Sequence, residues 1–214
     1  MAPLNRDFFS YLHASQMSGM ENEFELLKRF ADGDEDAFAA VLARWEKPLF
    51  NFVYRIIPER TEAEDIAQEV FLKVAAASAG LSRQATFSTY LYRVAYNLAI
   101  DRIRRRKVRS AVTSFVSLDA ASESADGEKL ARQVPDPADL PADQLRERLE
   151  TRRSIGTALE ELPENQRAVI ILKVYEDRPY AEIAEILGVS VPSVESLLFR
   201  ARQNLKKSLK PLLC

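Results

Sequence analysis

Apolar residues recur three and four positions apart along two long blocks of this chain, about 21–109 and 144–214. They nearly vanish from the block between them. A three-to-four spacing is the period of a helix with one buried face. The alternation of a half-buried strand is missing, as are the Asn-Gly and Asp-Gly turns that would pair two strands. The pattern predicts an all-α chain of two small helical domains joined by a flexible linker, residues 110–143.

The helices of the first block can be placed. "NEFELLKRFADG" reads as one, ending at Gly33. A second begins near Asp34, with Phe38, Val41, Leu42, Trp45, Leu49, Phe52 and Val53 on one face. Pro48 falls inside that run, and its missing N–H predicts a kink or a break. Thr61 with Glu64 three residues on has the form of a capping box. It opens a helix whose buried face is Ala63, Ile66, Ala67, Val70 and Val74. Ser88 is placed to cap the next helix, which buries Leu91, Val94, Ala95 and Leu98. Tyr90, Arg93, Asn97, Asp101 and Arg104 form another stripe on it. That helix closes on the densest basic cluster of the chain, Arg102, Arg104, Arg105, Arg106, Lys107 and Arg109.

The linker is rich in Ser, Ala, Asp and Pro, and its acids outnumber its bases. Such a composition buries too little apolar surface to offset the entropy of ordering it. Helical spacing returns at about Gln144. Pro163 suits the first turn of a helix over "PENQRAVIILKVYED", and Pro179 opens the next.

The last two helices carry the first chemical signal. "YAEIAEILGVS" is a short helix with Ile183, Ala184 and Leu187 on one face, ending at Gly188, where a tight turn is easily made. Ser190 caps a second helix, and Pro192 is tolerated in its first turn. Val191, Val194, Leu198, Ala201 and Leu205 face inward. Ser193, Ser196, Phe199, Arg200 and Gln203 face outward. This is the pattern of a helix-turn-helix, in which the second helix enters the DNA major groove and flanking basic residues, here Arg200, Arg202, Lys206, Lys207 and Lys210, suit phosphate contact. A helical hairpin used only for packing is the alternative, and Arg202 is also placed to pair with carboxylates. A repressor, a response-regulator output domain and a polymerase subunit all remain compatible with it.

Composition narrows the classes. The net charge of −2 places any nucleic-acid footprint locally rather than globally. The single cysteine, Cys214, excludes an intrachain disulfide and a thiolate metal site within one chain, and suits a reducing cytoplasm. His13, the only histidine, reads as a surface or core residue. No apolar run approaches the roughly 20 residues that span a bilayer. Residues 1–20 lack the form of a secretory signal and read as a short extension. No phosphate loop, metal-ligand spacing or nucleophile constellation appears. The expectation is a cytoplasmic chain that is not an enzyme and takes no cofactor or metal.

Several segments, in this order, carry a family resemblance: "DAFAAVLARWEKPLFNFVYRII", "EAEDIAQEVFLKV", "TFSTYLYRVAYNLAIDRIRRR" and "LPENQRAVIILKVYEDRPYAEIAEILGVS". Together they resemble the extracytoplasmic-function sigma factors of bacterial RNA polymerase, the sigma-70 family's group 4. The resemblance implies region 2 over 21–109 and region 4 over 144–214, with core polymerase and promoter DNA as partners. It implies docking of Asp65, Gln68, Glu69 and Phe71 on the β′ clamp, and contact of the second domain with the β flap. It implies capture of the melted −10 element by Phe87, Tyr90, Arg93 and Asn97, with Arg102, Arg105 and Arg106 on phosphates. Stacking of opened bases on aromatics fits that role. Tyr92 and Tyr96 remain open between this role and the core.

The −35 element falls to Ser193, Glu195, Ser196, Phe199, Arg200, Gln203 and Lys206. Glu195 and Leu197 stand where many members have basic residues, and Glu195 suits a cytosine amino group rather than a phosphate. The linker is expected to thread the polymerase cleft, its acids mimicking nucleic acid, or else to act only as a tether. The resemblance also implies an anti-sigma factor, soluble or at the inner membrane face, that covers both domains. A conventional helix-turn-helix regulator, binding duplex DNA as a dimer, is the alternative. It leaves "EDIAQEVF" and the tyrosine-rich helix unexplained.

Overall fold

The computed structural model describes residues 22–81, 86–114 and 142–210, and among these no strand occurs. Helix α1 spans Glu23–Ala31 and α2 spans Glu35–Ile56. Asn22 caps the first through the Phe24 amide, and Asp34 caps the second through the Ala37 amide. Gly33 makes the reversal between them with φ +102°, a value that favours a residue without Cβ. Pro48 lies inside α2 without breaking it, so of the kink or break expected from the sequence no break occurs. Val41, Leu49, Phe52 and Val53 are fully buried along its face, and that packing outweighs the one lost backbone bond.

Helix α3 spans Arg60–Ala77 and is followed by a 3₁₀ turn, Ser78–Gly80. Its cap also differs from the sequence reading. The Glu59 carboxylate accepts from the amides of Thr61 and Glu62, at 3.0 and 2.8 Å. Glu64 instead pairs with Arg60 at 2.6 Å, so no capping box forms. Negative charge at a helix start is favoured by the unpaired amides there, and Glu59 holds the cap position while Thr61, two residues on, is already inside the first turn.

Helix α4, Phe87–Ser114, is the longest. The Thr86 hydroxyl accepts from the Thr89 amide at 3.3 Å, which makes Thr86 the cap rather than Ser88. Ser88 lies within the first turn and is buried. The helix runs past the expected boundary at 109, so the basic cluster lies on helix throughout. The acidic part of the expected linker, 115–141, lies outside the described residues.

The second block starts with α5, Ala142–Glu160, and α6, Glu164–Ile170, which loosens into a π turn over Ile171–Tyr175. Pro163 sits just before α6 as its cap residue. The turn that follows places Asp177 at φ 46°, the one non-glycine with positive φ among the described residues. Helix α7, Tyr180–Leu187, ends on Gly188 in the left-handed conformation, φ 66°. Helix α8, Val191–Ser208, is capped by Ser190 through the Ser193 amide. Ile183, Ala184, Val194, Leu198 and Ala201 are buried as expected. Ile186 rather than Leu187 completes the buried face of α7, and Val191 is 39% exposed at the start of α8, where the first turn stands clear of its neighbours.

The two blocks are packed against one another. Helix α4 lies along α7, and α2 touches α6 and the π turn. Arg167 ties the junction together. Its guanidinium donates to the carbonyls of Leu159 (2.8 Å), Glu160 and Leu162 (3.2 Å) at the end of α5, and to that of Ile56 (2.7 Å) at the end of α2. Burial pushes its pKa down from the ordinary value, while the acids Glu160 and Glu164 hold it up.

Candidate nucleic-acid and polymerase interfaces

Three stripes of side chains face solvent. On α3, burial of Ala63, Ile66, Val70 and Val74 turns Asp65, Gln68 and Lys73 outward, with Glu69 half-buried and 3.6 Å from Lys73. Phe71, expected on this outer face, is 7% exposed and packs inward. Leu72 takes the outer position instead and is 71% exposed. It stands outside the buried spacing Ala63, Ile66, Ala67, Val70, Val74, which is the signal the sequence reading passed over.

On α4, Arg93 and Asn97 are exposed one turn apart, and Tyr90 is half-buried beside them. Arg105 and Arg106 are exposed, and Arg102 is half-buried, so the basic cluster extends this stripe. Arg106 reaches Glu62 of α3 at 3.9 Å, and Arg104 reaches Asp101 at the same distance. Phe87 does not join the stripe. It is 3% exposed and meets the rings of Trp45 and Phe24 edge-on, at 5.6 and 6.3 Å. The helix starts at Phe87, and its first apolar residue fills the gap between α1 and α2 instead of opening to solvent.

Tyr92 and Tyr96 pack inward. Tyr92 is fully buried, its ring edge-on to Phe52 at 4.8 Å, and its hydroxyl donates to Glu176 at 2.5 Å. Burial, reinforced by the Glu176 charge, holds that phenol far above its ordinary pKa, so it remains a donor. Tyr96 donates to Asn165 at 2.8 Å, and burial likewise raises its pKa.

On α8, Glu195, Ser196, Phe199, Arg200, Gln203 and Lys206 are exposed, and Ser193 is half-buried. Phe199 is 65% exposed, an apolar surface in the middle of a polar stripe. Ser190 and Ser193 share a 2.8 Å hydrogen bond at the helix start. Arg202 and Lys207 flank the stripe, also exposed. Helices α7 and α8 pack as a helix-turn-helix, their shared face closed by Ile183, Val194 and Leu198.

The comparisons with known proteins agree with this division. The sigma-70 region 2 model matches residues 41–109, and the sigma-70 region 4 model matches 152–205. The chain is 34% identical to the ECF RNA polymerase sigma factor SigW of Bacillus subtilis, over 87% of this chain and 96% of that one. The chain belongs to the extracytoplasmic-function sigma factors. It is 29% identical to the RNA polymerase sigma-H factor of Pseudomonas aeruginosa, over 92% of this chain and 98% of that protein. Solved structures share the fold. That of CnrH with the cytosolic domain of CnrY superposes with a TM-score of 0.61, at 21% identity, covering 89% of this chain and 99% of that chain. That of the Bartonella quintana sigma factor RpoE with the anti-sigma factor NepR gives 0.60, at 20% identity, covering 81% and 96%.

This sigma factor therefore acts as an alternative specificity subunit, directing RNA polymerase to initiate at particular promoters. Among the described residues no group of acids, histidines and cysteines is arranged to hold a metal, and no helix is long and apolar enough to cross a membrane.

Proposed function

We propose that this sigma factor distributes its work over the three exposed stripes. Residues 21–109 form region 2, residues 144–214 form region 4, residues 110–143 join them, and residues 1–20 are an extension. The α3 stripe of Asp65, Gln68 and Glu69 engages the polymerase β′ clamp, with Leu72 rather than Phe71 as the apolar anchor. The α4 stripe takes the melted −10 strand: Tyr90 stacks a base, Arg93 and Asn97 reach base edges, and Arg102, Arg105 and Arg106 hold phosphates. The α8 stripe reads the −35 duplex through Ser193, Glu195, Ser196, Phe199, Arg200 and Gln203, with Lys206 on the backbone. The acidic linker enters the polymerase cleft.

The observation that carries this reading is the coexistence of two outward stripes on separate helices, one led by Tyr90, Arg93 and Asn97 and one led by Glu195, Phe199 and Arg200. A duplex-binding regulator needs the second and has no use for the first. Phosphodiester chemistry belongs to polymerase, and the sigma factor is not itself an enzyme. It works in the cytoplasm and is held inactive by an anti-sigma factor until needed. Run-off transcription tests the assignment. Core polymerase with this protein is expected to initiate on its own promoters, and Arg93→Ala with Asn97→Ala is expected to abolish open complexes while sparing core binding. Initiation no better than with core alone overturns it.

A further inference from the structure

Helix α8 carries a single acid, Glu195, among the cations Arg200, Arg202, Lys206 and Lys207, and all five are exposed. The surface neighbours of a helical residue lie three and four positions away. For Glu195 these are Val191, Pro192, Leu198 and Phe199, and none of them can hold a carboxylate. Among the described residues it makes no hydrogen bond and no ion pair. The cations on its own side of the helix, Arg202 and Lys206, come two and three turns later. That is about 10 and 16 Å along the axis, beyond its reach.

The apolar residues beside Glu195 are exposed as well. Phe199 is 65% exposed and Val191 39%, while Val194, Leu198 and Ala201 close the inward face. Val191, Glu195 and Phe199 form one column, an acid between two apolar side chains. Successive members advance about 6 Å along the axis and turn by about 40°. The column occupies the part of a second helix that meets base edges, and the cations that follow it suit phosphates.

Few base edges suit such a column. A carboxylate only accepts hydrogen bonds, and phosphates repel it. The major groove offers it two donors, the N4 amino group of cytosine and the N6 amino group of adenine. Adenine sets its N7 acceptor beside that amino group, where it opposes a carboxylate oxygen. Cytosine sets a C–H there instead, so Glu195 favours cytosine.

A phenyl ring offers no hydrogen bond. Its match in the groove is the C5 methyl group of thymine. One turn of α8, about 6 Å, spans about two of the 3.4 Å steps of a duplex, so Phe199 meets a base one or two pairs from the one that Glu195 meets. Any pyrimidine with a C5 methyl group presents the same surface to it, and 5-methylcytosine is one.

We propose that α8 selects its −35 element through a cytosine amino group, held by Glu195, and a pyrimidine C5 methyl group one or two pairs away, covered by Phe199. The methyl group belongs to thymine or, equally, to 5-methylcytosine. Promoter choice then responds to C5 substitution of a pyrimidine as well as to which base pair stands there. This rests on the assignment of α8 to the −35 duplex made above.

The test uses holoenzyme formed from core polymerase and the full-length protein, with the −35 element it selects from a randomised library. That element is expected to hold a cytosine with a thymine one or two pairs away. Promoter duplexes are then synthesised with deoxyuridine in place of the thymine, which removes the methyl group alone. Affinity is expected to fall about fourfold, the worth of one buried methyl group. With a cytosine–guanine pair at that place, 5-methylcytosine is expected to bind about fourfold more tightly than cytosine. Phe199→Ser is expected to bind the thymine and deoxyuridine duplexes equally. Glu195→Gln is expected to move the selected base from cytosine to adenine, whose N6 and N7 an amide matches. Both side chains are exposed, so the variants keep the fold. Deoxyuridine that binds as well as thymine throughout the element, or Phe199→Ser protein that still tells them apart, overturns the methyl contact. A cytosine preference that survives Glu195→Gln overturns the role of Glu195. A selected sequence that none of Glu195→Gln, Phe199→Ser and Arg200→Ala alters strikes the assignment of α8 itself.

Discussion

Phe87 and Tyr90 are three residues apart on α4 and have opposite environments. The first is buried against Trp45 and Phe24, and the second keeps part of its ring at the surface. Phe87→Ala is expected to cost about 3–5 kcal/mol of folding free energy, as for other buried aromatics. Tyr90→Ala is expected to leave the urea midpoint almost unchanged while weakening open complexes by about 1–3 kcal/mol, one lost base stack. Equilibrium unfolding beside permanganate footprinting of the melted strand separates the two. The sequence resemblance put both residues on DNA, because spacing alone does not tell which side of a helix's first turn is covered by a neighbour 40 residues away. Phe71 and Leu72 were exchanged for the same reason. Two adjacent apolar residues at a stripe's edge differ only in which one α2 and α4 leave room for. Arg167 carried no sequence signal at all, since its four acceptors are carbonyls spread over two blocks. Removing it strands those carbonyls. Arg167→Ala is expected to cost about 2–3 kcal/mol, and Arg167→Lys to recover only part, lacking the planar fork. Chemical denaturation measures both.

At the scale of the element, helix identity was readable and helix ends were less so. The apolar period marked every helix that the structure describes, and Gly33, Asp34, Gly188 and Ser190 each sit at the boundary their chemistry implies. The errors fell where two residues compete for one cap, Glu59 against Thr61 and Thr86 against Ser88. Gly188 isolates the value of one such boundary. It sits at φ 66°, and a Cβ there would meet nothing within 4 Å. Gly188→Ala therefore costs only the left-handed backbone, about 1 kcal/mol. Thermal unfolding is expected to shift by a few degrees, with −35 binding retained below the transition. Glu195 tests α8 as a reading element. It is exposed in the second turn, next to Ser196. Glu195→Lys exchanges a residue that repels phosphate for one that attracts it. It is expected to raise duplex affinity with a steeper salt dependence, by about one counterion, and to change base preference within the −35 element. Selection from a randomised −35 library reads the preference directly, and an unchanged consensus would show that Glu195 points away from the groove.

The whole molecule adds a constraint that no helix carries by itself. Its domains were legible as two apolar blocks, but their mutual docking was not, because much of the junction is made of Ser, Thr, Tyr, Asn, Glu and Arg. In a sequence those residues read as solvated surface. Tyr92 illustrates the ambiguity: its ring belongs to the region 2 core, while its hydroxyl serves the other domain. Arg178 is the residue through which the junction is most open to perturbation. It bonds Ser88, approaches Glu182 at 3.5 Å and covers Tyr92, yet its Nε is buried with no acceptor. An unmet donor at the centre of an interface lowers what the docking of the two blocks is worth. Arg178→Ala removes the bond to Ser88 together with the unmet donor. The lost charge-assisted bond outweighs the relieved donor, so closure is expected to weaken by about 1–2 kcal/mol, a five- to thirtyfold shift toward the open form. Small-angle scattering of the free protein is then expected to give a larger radius of gyration than wild type at equal concentration. A radius unchanged by Arg178→Ala, with the helical circular dichroism intact, would place the stability of closure in Ile56, Ile103 and Leu162, which line the cleft between the blocks, instead.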